Sequence, residues 1–127
     1  FMKKLIAAIV ITLCSSSAFA GPIVEVFTCE LNDGKSMSDV NAMMTTFNTM
    51  LKKAGLEDSY TAHVGFQQVP VKKNSVNWIG IAPSGEAYGK ANDWFNGSED
   101  GAAFGALYNS IYSCDHSFLT FVTASSE

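Results

Sequence analysis

Two histidines, His63 and His116, and the cysteines Cys29 and Cys114 are the residues of this 127-residue chain best suited to moving protons, holding a metal or forming a covalent link. His63 lies in the alternating run Tyr60–Val69, on the face opposite Val64 and Phe66. If those two pack beneath helices, His63 shares the other face with Glu25. A histidine–carboxylate pair among aromatic side chains could shuttle protons or hold a ligand. His63 and Glu25 are therefore the candidate catalytic residues, and Phe27, His63 and Trp78 the candidate ligand contacts. His116 stands in Cys114-Asp115-His116-Ser117. Asp115 and Ser117 supply the residue types of a triad, but neighbours on a turn point apart, and no G-x-S-x-G elbow accompanies them. A turn flanking a disulfide accounts for His116 better.

Other motifs point to structure rather than chemistry. Cys29, Cys114 and His116 lack a C-x-x-C pair and a fourth ligand, so no metal site is expected. Met37, Met43, Met44 and Met50 have the type of copper ligands, but their helical spacing marks core filling. Gly80 through Gly85 has the glycine spacing of a phosphate loop without the Lys-Ser/Thr that must follow, and Pro83 interrupts it. Trp94-Phe95 and Tyr88 could line a cavity mouth, and a packing anchor is the preferred reading. No cofactor signature is present.

The chain opens with an address. From Met2 it reads Met-Lys-Lys, an apolar run from Leu5 to Leu13, three serines and Ala18-Phe19-Ala20. This is the pattern of a cleaved secretory signal over residues 1–20, too short in its apolar part to span a bilayer. A lipid-anchored reading through Cys14 is disfavoured by Leu13 before it. The remaining chain, residues 21–127, is expected to form a single domain in the periplasm or outside the cell, with no membrane association after cleavage. There an isolated cysteine pair defaults to a disulfide, Cys29–Cys114. All eight basic residues of the full chain are lysines against twelve acids, for a formal charge of −4. Acidity without arginine argues against nucleic acid, whose phosphates need clustered cations.

The elements that must position these groups follow from periodicity. Ile23 to Leu31 alternates as a strand, with Ile23, Glu25, Phe27 and Cys29 on one face. Ser36 and Asp39 have capping-box spacing. Val40, Met43, Met44, Phe47, Leu51 and Ala54 then recur at three and four, up to Gly55. Tyr60–Val69 and Val76–Ala82 read as the second and third strands. A helical region broken at Asn96-Gly97-Ser98 follows, and Phe118–Val122 is the last strand. This βαββαβ order is that of a ferredoxin-like α+β fold with a four-stranded antiparallel sheet. In it the end of the first strand meets the start of the fourth, which brings Cys29 toward Cys114.

By element order across residues 21–127, the chain resembles the dimeric α+β-barrel superfamily. The resemblance implies helices over one sheet face and a partner's sheet, or a cavity shared with it, over the other. Apolar residues on both faces fit a homodimer, since Ile23, Phe27 and Trp78 cannot share a face with Val24, Val26 and Ile79. Members share a fold rather than a chemistry. The expectation is thus a homodimeric binding or interaction module whose apolar sheet-face cavity holds an apolar or aromatic ligand, or is simply the dimer interface. The competing expectation is a cofactor-free oxygenase or isomerase using His63 in that cavity.

Overall fold

The strand that carries Glu25 lies inside the sheet. β1 (Ile23–Leu31) pairs antiparallel with β3 (Ser75–Ala82) on one side and with β4 (Tyr112–Thr120) on the other. β2 (Thr61–Gly65) adds to the far edge of β3, giving the order β2-β3-β1-β4. The computed structural model describes residues 21–120, with side chains to 117. The expected signal peptide lies outside the described residues.

Three helices cover one face of the sheet. α1 (Met37–Lys53) begins where the Asp39 carboxylate accepts the Ser36 N–H at 2.8 Å. It buries Val40, Met43, Phe47 and Leu51, its three-and-four stripe, and ends before Gly55, whose φ of 69° favours glycine. The second helical region divides as expected, into α2 (Gly85–Gly97) and α3 (Glu99–Ile111). Ser98 joins them: its N–H bonds to the Trp94 carbonyl, and its hydroxyl accepts from the Gly101 N–H at 2.9 Å. A Cβ at Gly101 would collide with the carbonyl oxygens of Trp94 and Phe95, so glycine lets α3 fold back tightly on α2. The architecture is the ferredoxin-like α+β fold read from element order.

Two strand boundaries differ from expectation. β2 ends at Gly65 rather than Val69, and Phe66, Val69 and Val71 stand exposed around an isolated bridge between Gln68 and Val71. β4 starts at Tyr112, six residues before Phe118. The polar residues Ser113, Asp115 and Ser117 look like a turn, yet on an edge strand they alternate onto the uncovered face while Tyr112 is buried and Cys114 half-buried. Residues 121–127, where that strand was expected to end, lie outside the described residues.

Candidate functional site

Register decides which groups meet. Alternation along β1 turns Ile23, Glu25, Phe27 and Cys29 toward the helices, opposite Ala82, Gly80, Trp78 and Val76 of β3. On the β4 side Phe27 lies opposite His116, and Cys29 opposite Cys114, to which it is disulfide-bonded. The bridge and the sheet therefore specify one register. It places His116 beside the strand that carries Glu25.

Glu25 is only 8% exposed, and a buried carboxylate must find donors. Tyr60, just ahead of β2, donates its hydroxyl to Oε2 at 2.7 Å and accepts the Trp78 indole N–H at 3.0 Å. Tyr88, in the first turn of α2, donates to Oε1 at 2.8 Å. His116 Nε2 lies 3.2 Å from the same oxygen, its side chain 43% exposed at the edge of the site. Phe27 stacks on the His116 ring at 4.3 Å, fixing its plane. Tyr60 reaches Glu25 by crossing the sheet over Gly80, where any side chain would overlap its ring and hydroxyl.

Burial, aided by the Glu25 charge, holds the Tyr60 phenol well above the ordinary tyrosine value. Burial, then the hydrogen bond to Glu25 and its charge, pushes Tyr88 up to about 12. Both hydroxyls remain neutral donors around neutral pH.

These groups form one wall of a cavity of about 260 Å³ between the sheet and its own helices. α2 contributes Tyr88, Ala91, Asn92 and Phe95, spaced at three and four, with Trp94 and Asn96 beside them. Only Ala91 of this helix is buried, because its inward stripe borders space rather than side chains. Phe47 and Leu51 of α1 and Phe104 and Tyr108 of α3 complete the lining. Ring contacts such as Phe47–Trp78 at 4.9 Å and Phe47–Phe104 at 4.8 Å stiffen it. The arrangement sets a buried carboxylate, able to accept a proton, in the wall of an aromatic-lined space. Among the described residues no group of three or more His, Cys, Asp or Glu could hold a metal ion.

Of the residues expected to act, Glu25, Phe27 and Trp78 line this cavity. His63 does not. It is exposed, pairs with Ile79 and faces away from the helices, so the sheet separates it from Glu25 and the expected pair does not form. The cavity is also not the expected space between two sheets, because Phe27 and Trp78 turn toward the chain's own helices. His116, expected in a turn, sits in β4 beside the carboxylate. Tyr88, Trp94 and Phe95, preferred as a packing anchor, border the cavity. Tyr60 carried no local signal, but His116 did: an antiparallel bridge between Cys29 and Cys114 places Phe27 against His116 on the same face.

The chain matches no protein-family model and no curated protein. Among solved structures it is similar to a mutant of SnoaB, a cofactor-independent oxygenase from Streptomyces nogalater, at 11% identity and TM-score 0.57, covering 85% of this chain and 100% of that one. A protein from Caulobacter crescentus CB15, proposed to be an antibiotic biosynthesis monooxygenase, is similar at 15% identity and TM-score 0.54, over 83% and 93% of the two chains. A conserved protein of unknown function from Bacteroides thetaiotaomicron VPI-5482, described as a possible oxidoreductase, aligns at 7% identity and TM-score 0.53, over 80% and 99%. At these identities the likeness is one of fold.

Proposed function

We propose that the protein binds a compact, ring-bearing small molecule between its helices and sheet. Glu25 removes a proton from that ligand, in the manner of a cofactor-free oxygenase or isomerase. The observation that carries this reading is a buried carboxylate in the wall of an aromatic cavity. A carboxylate offers about four lone-pair positions, and the Tyr60 and Tyr88 hydroxyls engage two, which leaves room for a substrate proton. Neutral phenol donors steady the carboxylate without cancelling its charge, and His116 at the exposed edge passes the proton on to water. Removing a proton from an activated C–H or O–H group leaves an electron-rich species that can isomerise or meet dioxygen directly. The fold shared with a cofactor-independent oxygenase supports this class of chemistry.

The same reading makes the protein an exported homodimer. Val24, Val26, Ile79 and Ile81 alternate onto the uncovered face, where a second copy would cover them. The Cys29–Cys114 bridge suits an oxidising compartment, and among the described residues no helix is long and apolar enough to cross a membrane. Light scattering is expected to give twice the chain mass; a strict monomer would remove the dimer.

The chemistry is tested in metal-free deuterated buffer with a panel of ring-bearing phenols and 1,3-diketones. Tryptophan fluorescence reads binding, and NMR reads hydrogen–deuterium exchange at the acidic carbon. The wild type is expected to accelerate exchange on a bound member, and folded Glu25→Gln to lose roughly a hundredfold or more of that acceleration. Binding without exchange would leave a carrier and overturn the base.

A further inference from the structure

The cavity has a charge pattern that selects its ligand, and we propose that this ligand is cationic: a protonated amine or quaternary ammonium group seated among the aromatic rings against Glu25. The inference rests on the reading of the cavity as a ligand site and names the class of molecule it takes. Among the described residues fifteen line the space, and none of these is a lysine; the whole chain has no arginine. Glu25 is the only carboxylate among them. Tyr60 and Tyr88 donate to it as neutral phenols and bring no counter-charge. Among the described lining residues the one histidine, His116, stands at the exposed edge rather than inside.

Nine of the fifteen lining residues are phenylalanine, tyrosine or tryptophan. Such walls solvate ions poorly. An anion here would lose water, meet the Glu25 charge and gain no counter-ion. A cation would gain both the carboxylate and the negative ring surfaces. A positive charge also acidifies the C–H bonds next to it, which is what a carboxylate base requires of its substrate.

The test uses three probes of matched shape: benzyltrimethylammonium, its neutral isostere neopentylbenzene, and phenylmethanesulfonate. Each is titrated against the wild-type protein by tryptophan fluorescence under the same buffer conditions. The cation is expected to bind at least about tenfold more tightly than the neutral probe, and the anion more weakly than either. In Glu25→Gln, checked for folding by circular dichroism, the cation-to-neutral ratio should collapse toward one. If the neutral probe or the anion binds wild type as tightly as the cation, the inference falls while the cavity reading stands. Binding of none of the three overturns both. A folded Glu25→Gln protein that keeps the full ratio also overturns the inference. Should that variant not fold, the wild-type comparison decides alone.

Discussion

The two faces of the sheet are built from alternate residues of the same strands, yet they treat polar groups in opposite ways. On the covered face Glu25, one residue from Val26, has gathered two phenols and an imidazole within 3.2 Å. On the uncovered face of the single chain His63 lies opposite Ile79 and stands exposed. Water meets the needs of a histidine in the open at no structural cost. Beneath the helices Glu25 is only 8% exposed, so neighbouring side chains must converge on the carboxylate or the fold bears the desolvation penalty. Burial thus turns a single polar residue into a site, and the same residue type in the open stays a surface group.

The largest expected effect lies on the covered side. The Cys29–Cys114 bridge closes a loop of 85 residues and ties the edge strand β4 to β1. Removing both cysteines by Cys29→Ala and Cys114→Ala is expected to cost about 4–5 kcal/mol in the chain-entropy limit. His63→Ala on the open side should change stability by about 0.5 kcal/mol or less. Urea unfolding of the two proteins reads both. Equal losses would erase the distinction between the faces.

A glycine on each face gives the next comparison. A Cβ at Gly80 would overlap the Tyr60 phenol, which cannot withdraw without leaving Glu25 and Trp78. A Cβ at Gly65, on the open side, meets the Ile79 Cδ1 at 3.0 Å, the far end of a side chain that can turn aside. Gly80→Ala is expected to cost about 2–3 kcal/mol, through overpacking and the loss of a buried hydrogen bond. Gly65→Ala should cost less than about 1 kcal/mol. Thermal melts decide it: a Gly80 variant as stable as the Gly65 one would mean that Tyr60 is not held where it lies.

Much of the fold is visible in residue order, because its signals are local. The helix from Met37 to Lys53 has its cap, stripe and glycine stop within its own residues, and the break at Ser98 is marked by Asn96 and Gly97. β4 was harder to see, since an edge strand with polar residues facing outward shares its composition with a turn. The site was half visible. Glu25, Phe27 and Trp78 could be singled out, but the partner of Glu25 depends on strand register, which single-strand alternation does not contain. Alternation assigned Glu25 and His63 to a common face, and pairing through β3, where His63 meets Ile79 and Glu25 meets Gly80, puts them on opposite ones. Tyr60 precedes β2 and reaches the carboxylate over a glycine from another strand, a relation between elements that no window of the sequence holds.

The smallest effect is the most selective measure of the covered face. Tyr60, Tyr88, Tyr108 and Tyr112 are all the tyrosines of the chain, and in each the phenol is held above its ordinary value, first by burial. A folded-state value raised above the unfolded one, about 10, means that the folded protein keeps protons the unfolded chain gives up. The stability from these groups is therefore complete below about pH 10 and declines as pH rises toward 12, where Tyr88 ionises in the folded state. Tyrosinate absorbance should stay low through pH 10 and then rise with unfolding. In folded Glu25→Gln the carboxylate charge is gone but burial, the leading cause for Tyr88, is not, so Tyr88 should ionise at a lower pH than in the wild type while staying above the ordinary value. A tyrosine signal that appears at pH 10 in the folded wild type would show that water reaches these phenols. In that case the covered face would be as open as the other, and Glu25 would not need the donors gathered around it.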